Sequence, residues 1–447
     1  MDSARTTDPT VGEAPPPAAQ GCRSLGLVAC TSLVIGNMVG SSFLMAPAAL
    51  ARYGALSIVV WLISALGAIC LGLVFSRLAR IAPATGGPYA WSRMAYGDFA
   101  GFLIAFGYWI SIWTSLPAIA AAFVGYFQGL VPSLAGPTST IAIALAAIWG
   151  VTLVNVRGIR EAAALQVVTT IAKFLPFLAI SLFGLLRISG RHFVPFNPTG
   201  EPLLPAIAAA APITMFAFMG LESATIPAGD VRDPARTIPR ATVLGILLSS
   251  ALYILGTVVV LGVVPPEQLA ATNAPFADAA GLMWGGWAYD MVAVAAIVST
   301  LGTLNGWTLL AGQIPMAAAW DRLMPSAFGR KSARGVPRFA LIVSACLASA
   351  LVIVAVSGSA SLTRFYAVVV GLSTLMALIP YVFCTLVEPL LGARIKLKAA
   401  YVVPACIAFV FSLGTIYGVG AQGVMLGFLL LLCGLPLYVL LRRERTS

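Results

Sequence analysis

Apolar stretches of about 20 residues recur along almost the whole chain, and short polar connections separate them. A stretch of this length forms an α-helix that crosses the hydrocarbon core of a bilayer, whereas a barrel strand needs only about 10 residues. The pattern therefore predicts an all-α membrane protein with 12 transmembrane helices. Their predicted starts lie near Leu25, Ala55, Phe99, Thr138, Glu161, Leu203, Ile238, Tyr289, Arg338, Ser361, Ala400 and Gln422.

Polar and helix-weakening residues interrupt the first apolar stretch at Gly36–Ser42, where the middle of the bilayer should lie. Backbone that leaves helical geometry inside a membrane is tolerated where it is buried in protein or lines a water-filled cavity. Close helix packing is the alternative, because Gly36 and Gly40 have the Gly-x-x-x-Gly spacing. Asn37 and the two serines add more polarity than a packing face needs, so we interpret the interruption as part of a binding site.

A second interruption lies in the sixth apolar stretch, which holds Gly220, Glu222 and Pro227 within eight residues. The first and sixth stretches each begin a set of five, and paired interruptions in two halves are typical of the binding sites of secondary transporters. We therefore predict a five-plus-five inverted repeat with discontinuous helices 1 and 6. The predicted parts are a first repeat at 25–188, a second repeat at 203–386 and two further helices at 399–442.

The net charge of +11 is distributed unevenly between the two sides of the predicted membrane. With the amino terminus inside, 21 of the 26 Lys and Arg residues fall on that side and four on the other. This positive-inside asymmetry predicts that both termini are cytoplasmic. The polar residues 1–24 then form a disordered cytoplasmic tail. The expected location is the cell (inner) membrane. The expected partner is therefore the lipid bilayer, and no nucleic acid partner is expected.

Cysteine and histidine are placed unfavourably for catalysis or metal binding. The seven cysteines are nearly all in apolar stretches with no close pair, and His192 is the only histidine. They provide no disulfide framework, no metal site and no Ser-His-Asp triad. We therefore expect no metal or other cofactor, and we interpret the chain as a non-enzyme.

Two ionisable residues are predicted to lie deep in the membrane. Glu222 is roughly 12 Å along a helix from the next cytoplasmic charges. A carboxylate at that depth is costly when ionised, so Glu222 is either a proton acceptor or a neutral, hydrogen-bonded structural residue. Lys173 is roughly 20 Å along a helix from Arg160, and it is either a second functional charge or a side chain that snorkels to water.

Several motifs, in the right order, resemble the amino acid-polyamine-organocation transporters, and within them the basic amino acid/polyamine antiporters. The motifs are GNMVGS at 36–41, PATGGPY at 83–89, FMGLES at 218–223, PFADAA at 275–280 and GWTLLAGQ at 306–313. The resemblance covers nearly the whole chain after Arg23. It implies a leucine-transporter-like fold, a homodimer, and an amino acid or amine as the small-molecule substrate.

By this resemblance, the two interruptions hold the substrate. Its carboxylate would take the N–H groups of residues 39–42, and its amino group would reach the carbonyls of Met38, Phe216 and Met219, which suits a helix amino terminus and unwound backbone. Phe216 would act as an aromatic lid and Trp307 as a gate. The implied substrate-binding residues are Asn37, Met38, Val39, Gly40, Ser41, Ser42, Ser111, Leu116, Phe216, Met219, Trp307 and Ser373. The implied distal-gate residues are Tyr108, Glu222 and Tyr381, and Lys173 is added as a proton-coupling candidate.

The chain departs from the antiporter pattern in its predicted side-chain pocket. Phe216 replaces a tryptophan, Ser42 replaces a glycine, and Leu116 replaces an asparagine that binds a guanidinium group. Lys173 stands where the antiporters have an apolar residue and resembles the fifth-helix lysine of proton-coupled permeases. These departures weaken the case for arginine and agmatine and leave an amino acid or amine as substrate.

Three functions remain open at the level of sequence. The first is an alternating-access antiporter in which Glu222 responds to protons. The second is a proton-coupled amino acid permease, working by symport or uniport, that uses Lys173. The third is a non-transporting amino acid sensor. A channel would need a continuous polar lining, for which the helices supply few residues.

Overall fold

The computed structural model of the protein describes residues 25–82, 86–158, 169, 175–225, 231–358, 361–391 and 399–446. Within these ranges its regular secondary structure is helical apart from one backbone bridge between Leu25 and Val231, and 11 helices are long and apolar enough to cross a membrane. This confirms the prediction of an all-α membrane protein. The predicted fifth span is represented by a shorter apolar helix, and the rest of it lies outside the described residues. Twelve spans and an inverted repeat therefore stay predictions.

Sixteen helices follow one another along the described part of the chain. They are α1 (Leu27–Met38), α2 (Ser41–Leu50), α3 (Leu56–Ile81), α4 (Pro88–Leu130), α5 (Pro137–Arg157), α6 (Leu175–Arg187), α7 (Leu203–Phe218), α8 (Pro234–Val263), α9 (Pro266–Ala271), α10 (Pro275–Trp284), α11 (Gly286–Trp320), α12 (Arg338–Gly358), α13 (Leu362–Leu391), α14 (Ala399–Gly418), α15 (Ala421–Leu432) and α16 (Leu435–Thr446). The first span consists of α1 and α2, and the sixth consists of α7 and a 3₁₀ turn at Ser223–Thr225. The prediction of discontinuous first and sixth helices is thus confirmed.

The third span begins earlier than predicted. Helix α4 starts at Pro88 rather than near Phe99, and it bends at Gly97, where φ is +83°. Proline suits the first turn of a helix because its missing N–H would have no partner there. The polar residues Arg93 and Asp98 conceal this segment from a search for apolar residues. It forms a separate short helical arm before the membrane-spanning part of α4.

The spans differ in how much of their surface is covered by protein. Helix α4 packs against α11 and α13, and α3 and α1 both pack against α8. Only 17% of the residues in the most apolar stretch of Tyr401–Gly418, and 11% of those in the most apolar stretch of Ala421–Arg443, are buried. The last two spans therefore lie at the periphery. Their exposed apolar side chains suit contact with lipid, as Tyr417 illustrates at 76% exposure.

Candidate functional site

The first helix break lies between α1 and α2. Helix α1 ends at Met38, Val39 is extended, and α2 begins at Ser41 with its first backbone bond from Leu44 N to Gly40 O, at 3.1 Å. The N–H groups of residues 41–43 precede that bond, so they have no partner within α2. Ser41 and Ser42 are nevertheless buried. The break therefore presents donors in the interior, as an anionic group would require.

Helix α11 holds this break in place. Oγ1 of Thr303 lies 3.3 Å from the carbonyl oxygen of Val39 and 3.1 Å from that of Ser299 in its own helix. A Cβ atom on Gly40 would overlap the Thr303 side chain. Gly40 thus permits a close approach between the start of α2 and α11 that any larger residue would prevent.

The second break lies at the end of α7 and faces the first. Met219 is extended and Gly220 has φ of +96°, a conformation that favours glycine. A Cβ atom on Gly220 would lie 3.1 Å from Cβ of Asn37, and Nδ2 of Asn37 donates to Oγ of Ser223 at 2.8 Å. The two breaks are therefore in direct contact, although they are far apart in the sequence.

The predicted lid and gate residues lie in one buried cluster. Leu116, Phe216, Met219 and Trp307 all belong to it, and each is at most 5% exposed. The ring of Phe216 contacts that of Tyr366 edge-on, with centroids 6.3 Å apart. Nε1 of Trp307 donates to the carbonyl oxygen of Asn37 at 3.2 Å, so this side chain also fixes the first break.

Glu222 joins three helical segments on one side of this cluster. Its Oε2 accepts a hydrogen bond from the Tyr381 hydroxyl at 2.6 Å, and its Oε1 accepts one from the Tyr108 hydroxyl. All three side chains are fully buried. The structure therefore brings together the three residues predicted to form the distal gate and joins them by hydrogen bonds.

The serines that were predicted to contact the substrate form hydrogen bonds within α4 and between α4 and α13. Oγ of Ser111 donates to the carbonyl oxygen of Tyr108 at 2.7 Å, and Oγ of Ser373 lies 2.8 Å from the carbonyl oxygen of Ser111. Ser115, which sequence reasoning missed, has its Oγ 2.6 Å from that of Ser373. Helical spacing of four from Ser111 could have identified it. The three serines thus form a polar cluster between α4 and α13.

Two further polar residues were not selected from the sequence. The hydroxyls of Thr308 and Tyr366 are buried without a hydrogen-bond partner among the described residues, as is Oδ1 of Asn37. Thr308 lies within the GWTLLAGQ motif, which could have drawn attention to it, whereas no local signal marks Tyr366. Lys173 falls outside the described residues, so its prediction has no structural counterpart here.

We expect Trp307→Phe to lower the rate of the predicted transport severalfold, because it removes the indole N–H that holds the Asn37 carbonyl. A hydrogen bond of this kind contributes about 0.5–1.5 kcal/mol. Trp149→Phe is the matched control, since it removes an indole N–H that donates to Ser349 at 3.1 Å between α5 and α12. Initial rates in proteoliposomes should fall for the first variant alone. Equal rates for both variants would contradict a role in holding the break.

Comparison with known proteins identifies the family. The amino acid permease family matches residues 25–435. The cadaverine/lysine antiporter of Escherichia coli (strain K12) is 31% identical over 365 residues, which cover 81% of this chain and 82% of that protein. The putrescine transporter PotE of Haemophilus influenzae is 29% identical over 424 residues, covering 93% and 96% of the two chains. The putative arginine/ornithine antiporter of Bacillus subtilis is 30% identical over 400 residues, covering 82% and 83%. The chain therefore belongs to the amino acid permease family, within the amino acid-polyamine-organocation superfamily, and it is a secondary transporter rather than an enzyme.

Proposed function

We propose that this chain is an antiporter that exchanges an amino acid with an ammonium-bearing side chain for a related amino acid or diamine. The observation that carries the proposal is the direct contact between the two helix breaks, supported by the 2.8 Å hydrogen bond from Asn37 to Ser223. The amino terminus of α2 offers N–H donors and positive dipole to a carboxylate. Unwound carbonyls at Met38 and Met219 suit the substrate's α-ammonium group.

The side-chain pocket supports an ammonium group over a guanidinium group. Leu116 cannot donate or accept a hydrogen bond, so a planar guanidinium would lack its amide partner. An ammonium has three donors that fit separate oxygens, and the hydroxyls of Ser111, Ser115 and Ser373 are grouped between α4 and α13. The face of Phe216 adds a cation–π contact of roughly 0.5–2 kcal/mol. Lysine, ornithine and their diamines are therefore the proposed substrates. The names of the cadaverine/lysine and putrescine relatives agree with this class, whereas the name of the arginine/ornithine relative also includes a guanidinium substrate.

Transport follows alternating access in this proposal. One bundle of helices rocks against the rest around the fixed site between the breaks, as expected for the predicted repeats at 25–188 and 203–386. The Tyr108–Glu222–Tyr381 contact is the gate that must open, and a proton on Glu222 biases that opening. The proposal also puts both termini in the cytoplasm, which reporter fusions to each terminus would test. It further assigns a homodimer, which a mass measurement in detergent would test.

Purified protein in proteoliposomes distinguishes exchange from proton symport. We expect labelled lysine to enter vesicles loaded with unlabelled lysine or cadaverine at least about tenfold faster than empty vesicles, because an obligate exchanger returns only when loaded. Accumulation in empty vesicles driven by a pH gradient would instead support the proton-coupled permease. Binding without flux in either arrangement would support the sensor.

Competition against labelled lysine tests the substrate class. We expect ornithine, putrescine and cadaverine to inhibit more strongly than arginine, and leucine to inhibit least. The order follows from the hydroxyl cluster and from Leu116. Equal or stronger inhibition by arginine and agmatine would show that Leu116 does not exclude a guanidinium group.

A further inference from the structure

A groove separate from the transport site lies where α4, α11 and α16 meet. It has a volume of about 420 Å³, and its wall includes Asp98, Phe99, Arg322, Tyr438, Leu441 and Arg442. The part of α4 just after Gly97, the turn that follows α11 and the helix α16 supply these residues. All three segments lie on the side that the positive-inside asymmetry assigns to the cytoplasm. The groove therefore opens near the boundary between the hydrocarbon core and the cytoplasmic head groups.

The charged residues of the groove carry one excess positive charge. Asp98 in the wall of the groove pairs with Arg93 at 2.8 Å, and Arg93 also pairs with Asp321 at 2.9 Å. Arg322 and Arg442 bring the count to three arginines against two aspartates. One phosphodiester, which has a single negative charge, matches the one positive charge by which the arginines of the groove wall exceed its carboxylate. Arginine also offers planar paired donors that match phosphate oxygens.

The conformation of Arg322 is unusual for its residue type. Its φ is +58°, in the left-handed region that costs a non-glycine residue roughly 1–2 kcal/mol. The backbone there is fixed by bonds from Arg322 N to Ala319 O and from Leu323 N to Ala318 O, at 3.0 and 2.8 Å. This turn ends α11 and places the exposed Arg322 in the wall of the groove.

The remaining wall of the groove is aromatic and apolar. Phe99 is 49% exposed, and its ring contacts that of Tyr438 edge-on with centroids 5.2 Å apart. Leu441 lies one helical turn beyond Tyr438. Aromatic rings of this kind are enriched at membrane interfaces, where one end is apolar and the other is hydrated. A soluble anion would use the arginines alone and would leave this wall without a partner.

We propose that the groove binds one anionic phospholipid, with its phosphate between Arg322 and Arg442 and its acyl chains along Phe99, Tyr438 and Leu441. Basic pockets at the cytoplasmic ends of transmembrane helices recognise anionic head groups in this way. The size of the groove lies within the range of pockets that hold small ligands. The lipid site does not depend on the substrate or on the direction of transport.

Native mass spectrometry of the full chain in detergent tests the site with phosphatidylglycerol and phosphatidylcholine of equal chain length. We expect one phosphatidylglycerol to bind more tightly than phosphatidylcholine. The double variant Arg322→Gln/Arg442→Gln should bind phosphatidylglycerol about thirtyfold more weakly, since each arginine near an anionic head group contributes a similar free energy. The control Arg240→Gln/Arg330→Gln removes two exposed arginines of the same face that do not line the groove, and it should leave that affinity unchanged.

A milder variant keeps the proposal testable if the double variant does not fold. Arg442→Gln is near the exposed end of α16 and should weaken phosphatidylglycerol binding about fivefold. Equal affinity for the two lipids, or an unchanged affinity in Arg442→Gln, would overturn the proposal. Displacement of the lipid by millimolar inorganic phosphate would show a site for a free anion instead. Loss of lipid binding on dimer formation would show that a second copy of the chain occupies the groove.

Discussion

Gly40→Ala should lower transport by at least about tenfold, which corresponds to roughly 1.4 kcal/mol. The added methyl group would overlap the side chain of Thr303, which lies against the first helix break. Overpacking of an interior contact costs about 1–3 kcal/mol, and α1, α2 or α11 must move to relieve it. Any such movement displaces the N–H groups of α2 from their position opposite the second break. Initial rates of lysine exchange in proteoliposomes measure the effect.

A second substitution separates this contact from a general loss of stability. Thr303→Gly removes all three atoms that the new methyl group would meet, although glycine within α11 itself costs about 1 kcal/mol. The double variant Gly40→Ala/Thr303→Gly should therefore transport faster than Gly40→Ala alone. Gly414→Ala is the matched control, because a Cβ atom there meets nothing within 4 Å. Wild-type transport by Gly40→Ala, or no improvement in the double variant, would show that the close approach is not required.

The positions of the two breaks could be predicted from the sequence because their cause is local. Glycines and polar residues inside an apolar stretch weaken a helix wherever the stretch lies, and both interruptions appear in the structure as ends of helices. The partner that holds each break could not be predicted in the same way. Thr303 and Ser223 are short hydroxyl residues whose role depends on which helix lies opposite.

The side chains at the site illustrate the same limit. Tyr108, Glu222 and Tyr381 were selected by resemblance, and the structure places them in contact. Trp307 was also selected, but its bond to the Asn37 carbonyl is a tertiary contact that no pattern in α11 indicates. Tyr366 has no local signal, yet its ring packs against Phe216. The early start of α4 was missed for another reason, because Arg93 interrupts the apolar residues of its arm and because Pro88 and Gly97 bound it.

Glu222→Gln should remove the pH dependence of exchange. An ionised carboxylate accepts hydrogen bonds from Tyr108 and Tyr381 together, and bonds to a charged group contribute about 1.5–3 kcal/mol against 0.5–1.5 kcal/mol for neutral partners. A protonated carboxyl must present one oxygen as a donor, so it holds the two tyrosines less strongly. In the proposed mechanism, protonation therefore favours the state in which this contact is open. The glutamine variant is fixed in a neutral form, and its rate should stay constant from acidic to neutral pH.

Variants of the two tyrosines test whether the pH dependence comes from the proton on Glu222. Tyr108→Phe and Tyr381→Phe each remove one donor but retain the carboxylate, so their exchange rates should change while the pH dependence remains. Glu267→Gln, in the short helix α9, removes a carboxylate outside the gate and should leave the whole profile unchanged. A wild-type pH profile with full activity in Glu222→Gln would leave Glu222 as a structural acceptor only. Loss of the pH dependence in both tyrosine variants as well would mean that an intact gate, rather than the charge on Glu222, sets the response to pH.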